Sequence, residues 1–441
     1  MSITKTLYTG VTGMSASGTA LSVVGDNIAN INTTGYKAER VVFSDLLGRS
    51  MMMTNQSGSG VQITDIRRTF SQGTLLTTDS PTDLAINGKG FFVVNGQLGG
   101  QDANFYTRAG QFTLDTNGNM VTPQGFTAQG YLVNSDGNID NQLTDLTIAN
   151  SVLPPSASKQ IEISANLDAS APILDPVAAP WDPTDPGSTS NFSTAITVYD
   201  SLGAAHRVDI YFRKIQDATA PATPAQWDYH ALIDGGELTG GTAGTPVEVA
   251  TGHLDYTSDG WLQVETPTLA WTVGTAAFTG ASPQAVAFDF GESITEGGTG
   301  QSGSTNYASS STVRSQEQDG YSTGELAGVG VEADGKVMAV YSNGEQRLVA
   351  QMAIATFEAE EELIRAGDNM WAACTASGDA RIGAAATGSA GAITSGALEQ
   401  STVDLAGEFV NMIAYQRGFQ ANSRTVSTAD QLYQEVVNLK R

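Results

Sequence analysis

The residues able to do chemistry are few. Histidine occurs only at His206, His230 and His253, and cysteine only at Cys374. A single thiol forms neither an intrachain disulfide nor a multi-cysteine metal site. Gly320-Tyr321-Ser322-Thr323-Gly324 has the spacing of a nucleophile elbow, in which a strained turn exposes a serine. The triad histidine of that fold follows the serine, and no histidine follows His253, so the segment reads as a loop. Asp115 to Asn119 and Asp136 to Asp140 carry oxygen ligands of the calcium-loop kind. Neither completes that spacing with its terminal Glu, and hairpin turns account for both. Gly88-Lys89-Gly90 lacks the third glycine of a dinucleotide fingerprint. Glu358, Glu360, Glu361 and Glu362 suit a solvated face or a helix start. Spacing alone does not exclude a glycosidase carboxylate pair among 46 acids. Cys374 reads as a small buried residue, since a nucleophile needs an adjacent base or cation. No enzyme activity, cofactor or metal is expected.

Composition supports a structural or binding role. The chain has 441 residues, about three domains at ~150 residues each. Charged residues are 15%, below the usual ~25%. With 21 basic and 46 acidic residues the net charge is −25. That balance argues against nucleic acid and anionic membranes as partners. Residues 6–25 carry no charge, but Thr6, Thr9, Gly10, Thr12, Gly13, Ser15 and Ser17 interrupt the apolar run. A cleaved signal peptide and a membrane span are both disfavoured.

Two helices are expected to frame the chain. Leu7, Met14, Leu21 and Ile28 recur every seven residues, with Val11, Gly18 and Gly25 in the companion column. This is a coiled-coil-like seam of one apolar and one small column. Gly10, Gly13, Gly18 and Gly25 each cost about 1 kcal/mol relative to Ala, so a lone helix would be marginal. At the other end Leu405, Met412, Phe419, Val426 and Tyr433 repeat the spacing, joined by Phe409 and Val437. Ser401 and Asp404 read as an N-cap with a capping-box acid, opening a helix to Leu439 of roughly 58 Å. The two helices could pair within a monomer; their length, low charge and weak propensity favour assembly.

Between them the period switches to two. Leu84 to Gly88 and Phe91 to Gly96 read as short strands closed by Asn-Gly turns, and further turns are signalled at Asn117-Gly118, Asp136-Gly137, Asp234-Gly235, Asp259-Gly260, Asp334-Gly335 and Asn343-Gly344. Thr194 to Asp200, Arg207 to Phe212 and Lys336 to Tyr341 are further strand candidates. Twelve of the fourteen prolines, all three histidines and four of the five tryptophans fall in the block 150–300. That block reads as an inserted β domain, with Gly297 to Ser311 as its return linker.

The segment Val24-Gly25-Asp26-Asn27-Ile28-Ala29-Asn30-Ile31-Asn32-Thr33-Thr34-Gly35-Tyr36-Lys37 resembles the N-terminal signature of bacterial flagellar rod and hook proteins. Asn411-Met412-Ile413-Ala414-Tyr415-Gln416-Arg417-Gly418-Phe419-Gln420-Ala421-Asn422 resembles their C-terminal signature. Leu84 to Val94 and Tyr106-Thr107-Arg108-Ala109-Gly110 through Gln129-Gly130-Tyr131 resemble their shared core. The resemblance covers about residues 1–145 and 315–441, and the large insertion favours the hook member over the distal rod member. It implies a curved hollow tube acting as a universal joint between rod and filament. It also implies an extracellular place in the flagellum and export through the type III apparatus without a cleaved signal. The implied partners are further copies of the chain, the distal rod protein, the hook cap and the hook–filament junction protein.

The expected fold is mainly β and multi-domain, with a coiled-coil-like inner domain of terminal helices and an inserted central domain. The expected boundaries are 1–33 with 398–441 for polymerisation, 34–70 with 364–397 connecting, 71–147 with 301–363 as β core, and 148–300 inserted. Leu7, Val11, Met14, Leu21 and Ile28, with Leu405, Phe409, Met412, Phe419, Val426 and Tyr433, are the expected assembly residues. Asn27, Asn30, Thr34, Gly35 and Tyr36 form the expected helix exit, where Gly35 permits an unusual backbone angle. The competing readings are a distal rod protein with an insertion and an acidic secreted β-rich adhesin or glycan-binding protein.

Overall fold

The computed structural model describes residues 3–47, 58–98, 100–134, 137–148, 152–218, 223–273 and 276–438. Asp136 of one expected turn and Leu439 at the expected helix end lie outside them, as does the side chain of Val437. The described chain is mainly β with a long helix at each end, and it divides into two compact units. The first comprises 1–151, 327–340 and 346–441; the second comprises 152–326 and 341–345.

The first unit opens with helix α1 (Ile3–Ala29) and closes with helix α2 (Leu405–Asn438). The hydroxyl-rich α1 satisfies side chains on its own backbone: Thr9 and Thr19 Oγ1 donate to the carbonyls of Lys5 and Ser15, four residues back. Beyond α1 runs a long antiparallel hairpin, β1 (Glu39–Leu47) and β2 (Gly58–Arg68). Helix α2 starts later than Ser401. Its cap is Asp404, whose Oδ1 accepts from Ala406 N at 3.1 Å. Residues 400 and 402 are held in extended pairing instead, with Gln400 N donating to Thr74 O and Thr402 N to Tyr36 O.

The β core of this unit is an antiparallel sheet in the order Lys336–Tyr341, Gln346–Thr356, Thr127–Val133, Phe91–Leu98, Gln101–Thr107, Met370–Ala372, Ile364–Gly367. Aromatic edges fill it. Phe70 meets Phe91 at 5.5 Å and Trp371 at 5.2 Å, and Tyr106 meets Phe357 at 4.8 Å, all T-shaped. Asn95-Gly96 is not the expected turn; it lies inside strand Phe91–Leu98. Glycine is needed there because a Cβ on Gly96 would sit 2.5 Å from the Phe126 ring.

The second unit carries a five-stranded antiparallel meander: Phe192–Tyr199, Ala205–Gln216, Ala225–Asp234, Pro246–Tyr256 and Leu262–Leu269. A three-stranded sheet, Ala287–Asp289, Gln160–Asn166 and Thr312–Gln318, shares its core. Ile161, Ile163 and Ala165 of the smaller sheet join Ile210, Phe212, Trp227 and Tyr229 of the larger in one buried cluster. The Gly/Ser/Thr tract 297–311 is no linker. Ser304, Thr305 and Asn306 are buried, and Thr305 N and Asn306 N donate to Ala165 O and Gly260 O. Small polar side chains pack there because their hydroxyls and amides close backbone gaps between strands.

Candidate functional site

Helices α1 and α2 pack antiparallel in steady register. Gly10 lies against Val426, Gly13 against Asn422 and Ser17 against Gly418. Farther along, Asn27 reaches Glu408. A Cβ on Gly10 would sit 2.6 Å from Val426 Cγ2, and one on Gly13 2.6 Å from Asn422 Nδ2. The glycines are therefore what lets the two backbones approach. Among the described side chains, the buried residues of α1 are Gly10, Gly13, Ala16, Ala20, Val23, Val24 and Asn27, and of these Gly10, Gly13 and Asn27 meet α2 directly.

The large residues singled out by spacing sit elsewhere. Leu7, Met14, Leu21 and Ile28 are half-buried along the flank of this seam, and Val11 is 49% exposed. Nothing lies within 4 Å of a Cβ position on Gly18 or Gly25, so their column is open. On α2, Met412 and Val426 are half-buried, while Leu405, Phe409, Phe419 and Tyr433 are exposed. The small seam was legible as Gly13, Ala20 and Asn27 at sevenfold spacing, but the larger residues carry the stronger hydrophobic signal.

At the exit of α1 the chain is tied down by polar groups. Asn27 is fully buried with its amide saturated. Its Nδ2 donates to Glu39 O at 2.7 Å and to Glu408 Oε1 at 2.9 Å. Its Oδ1 accepts from Glu39 N at 2.9 Å and from the Tyr36 hydroxyl at 3.3 Å. Asn30 Nδ2 donates to Asp26 O, and its Oδ1 accepts from Thr33 Oγ1. The carbonyl of Thr34 accepts from Asn369 Nδ2 at 3.3 Å. Gly35 has φ +71, its N–H bonds Glu399 O at 2.8 Å, and a Cβ there would meet the Arg108–Ala109 backbone at 2.8 Å. Both conformation and space require glycine.

A buried ion triad, which the sequence did not signal, completes this clasp. Lys37 Nζ lies 2.7 Å from Glu399 Oε1, and Arg108 Nη1 lies 3.4 Å from Glu399 Oε2. Ser71 O and Gly73 N bond Lys37 and Glu399 respectively. Burial pushes the Lys37 ammonium and the Arg108 guanidinium below their usual ranges, and Glu399 opposes both shifts. Burial, with Glu39 nearby, raises the Tyr36 phenol. Glu39 in turn pairs with Arg68 at 3.1 Å and Arg365 at 3.2 Å. Through these contacts the cluster ties the exit of α1 to the Glu399 segment that precedes α2.

The candidates for chemistry take structural places. Asp115 Oδ1 accepts from the N–H groups of Asn117 and Asn119, which makes a turn. In the second unit each histidine faces a carboxylate: His206 faces Glu237 and Asp200, His230 faces Glu248, and His253 faces Asp228. Cys374 is half-exposed, not the buried residue expected; its Sγ contacts Glu362 O at 3.1 Å, and the Ser377 N–H and hydroxyl help hold its thiol below the ordinary range. Among the described residues no three or more His, Cys, Asp or Glu are grouped to hold a metal ion. No helix among them is long and apolar enough to cross a membrane.

Four family profiles match the chain. They are described as flagella basal body rod protein over 7–37 and flagellar hook protein FlgE/F/G D1 domain over 85–166. Flagellar basal body protein FlaE D2 domain matches over 166–321, and flagellar basal body rod FlgEFG protein C-terminal over 394–439. The chain is 33% identical to the flagellar hook protein FlgE of Salmonella typhimurium over 98% of each chain. It is 32% identical to that of Treponema pallidum over 99% of this chain and 100% of the other. Among solved structures, Helicobacter pylori flagellar hook protein FlgE2 overlaps 72% of this chain and 98% of its own, with TM-score 0.49 and 15% identity. Full-length similarity to hook proteins favours neither the distal rod reading nor the adhesin reading. The chain belongs to the flagellar hook protein family, structural components of the bacterial flagellum.

Proposed function

We propose that the chain polymerises through exposed faces of α1 and α2 into a curved, hollow tube that transmits torque as a universal joint. One observation carries the reading. Helix α2 is 34 residues long, yet Ala429 is its one fully buried residue among the described side chains. Phe409, Val410, Ile413 and Phe419 all face outward. Apolar surface of this kind gains about 25 cal/mol per Å² when another copy covers it, so ordering of the helices is coupled to assembly.

In this reading Leu7, Val11, Met14, Leu21 and Ile28 contact neighbouring copies, as do Leu405, Phe409, Met412, Phe419 and Tyr433, whereas Val426 packs against Gly10 within the subunit. Asn27, Asn30, Thr34, Gly35 and Tyr36 fix the angle at which α1 leaves the clasp. Residues 1–33 with 398–441 form the polymerisation domain, and the inserted domain is the second unit, 152–326 with 341–345, in place of the expected 148–300. The tube stands outside the cell on the distal rod protein, grows beneath the hook cap and ends at the hook–filament junction protein. Subunits travel through the type III export apparatus, and the chain works without catalysis.

Electron microscopy of the full-length chain with a salting-out agent, beside a chain lacking 1–33 and 398–441, tests this. Curved tubes from the full chain alone are expected. Monomers from both, or tubes from a Leu21→Asp variant, overturn it.

A further inference from the structure

An open groove of about 330 Å³ lies at one end of the helix pair, bounded by Thr6 of α1 and by Arg424, Thr425, Thr428, Ala429 and Leu432 of α2. Its walls are mainly methyl and methylene groups. At the opposite end of α2, Leu405, Phe409, Val410 and Ile413 project into solvent, Val410 being 66% exposed. We infer that the groove receives the Phe409 end of α2 from a second copy, in a head-to-tail contact that is repeated along the tube. The inference rests on the assembly reading above and names the contact within it.

Three arguments converge. An open helical polymer needs two different, complementary patches on one subunit, because a self-complementary patch closes into a dimer. Groove and projecting residues are such a pair, one concave and one convex. Phe409 and Thr428 are also separated by roughly 28 Å along the helix and about 100° around it. Joining one patch to the other therefore relates neighbours by a rotation as well as a translation. The charges agree as well: Asp404 borders the projecting residues, and Arg424 borders the groove.

Disulfide trapping tests the contact in full-length chain carrying Cys374→Ser, Ala406→Cys and Thr428→Cys. The two new thiols sit roughly 33 Å apart on one helix, far beyond the ~7 Å Cα limit for a bridge, so any disulfide must join two copies. Oxidised tubes should give a covalent ladder on a non-reducing gel, while each single-cysteine variant stops at dimers. Tubes that run as monomers overturn the contact but leave the assembly reading intact; failure of the unmodified chain to form tubes overturns the assembly reading. If the double variant does not assemble, Thr6→Trp decides. It fills the groove and should raise the critical concentration by about tenfold or more, with helicity unchanged and Val177→Trp, 89% exposed on the second unit, as the neutral control. Unaltered assembly of Thr6→Trp overturns the proposal.

Discussion

Asn27 on α1 donates to Glu408 on α2 at 2.9 Å, across 381 residues of sequence. The same amide bonds both backbone groups of Glu39. One buried side chain thus fastens the first helix, the last helix and the hairpin between them. A buried polar residue in a helix seam is a device for register. It matters here because the rest of the seam is mostly small residues that would tolerate sliding.

Asn27→Leu should cost about 2–3 kcal/mol, since it strands the Glu39 N–H and the Tyr36 hydroxyl without acceptors. Glu408→Gln should be neutral or slightly stabilising, because Gln keeps an acceptor for Asn27 and Glu408 Oε2 is buried without a partner among the described residues. Urea midpoints of the two variants check this; an equal loss in both contradicts it.

The clasp predicts an asymmetry. Glu399→Gln leaves Lys37 and Arg108 as buried cations without their anion and should cost about 3–5 kcal/mol. Lys37→Met keeps the Arg108–Glu399 pair and removes a charge that burial already disfavours, so its cost should be clearly smaller. Denaturant unfolding of both variants at neutral pH gives the order.

Two glycines of α1 should respond in opposite directions. Gly18→Ala meets open space and should stabilise α1 by up to about 1 kcal/mol through helix propensity. Gly13→Leu must displace Asn422 and should part the helices. Far-ultraviolet circular dichroism on heating should show the first variant melting later and the second losing helix first.

The second unit should lose stability as pH rises from about 4.5 to 7. Burial, reinforced by Asp289 and Glu296, pushes Glu265 up to about 7. Across this range the unfolded chain has released that proton and the folded chain has not. The folded form is therefore penalised increasingly until Glu265 itself ionises. Glu265→Gln should be insensitive to this and, above pH 7, more stable than the parent by about 3 kcal/mol. Tryptophan fluorescence in urea at pH 5 and pH 8 reads the difference; a parent that gains stability relative to Glu265→Gln on going to pH 8 refutes it.

By itself the sequence determined what is local and periodic. The sevenfold spacing of Leu7 to Ile28 and Leu405 to Tyr433 located both helices, because an amphipathic stripe depends only on residue spacing. Alternation located strands such as Lys336–Tyr341, whose side chains are buried at every second position. The separated terminal signatures placed the chain in its family. Tertiary structure decided which helix face pairs within the subunit. It chose Gly10 and Gly13 over Leu7 and Leu21, since close backbone approach depends on the shape of a partner distant in sequence. It also assembled Lys37, Arg108 and Glu399, which are isolated charges along the chain and become one site only when burial brings them together. The same reason turned Asn95-Gly96 from a turn into a strand and buried Ser304 to Asn306 of the expected linker 297–311. In each case the deciding neighbour, Phe126 or Ala165, lies outside the local window that a sequence pattern can read.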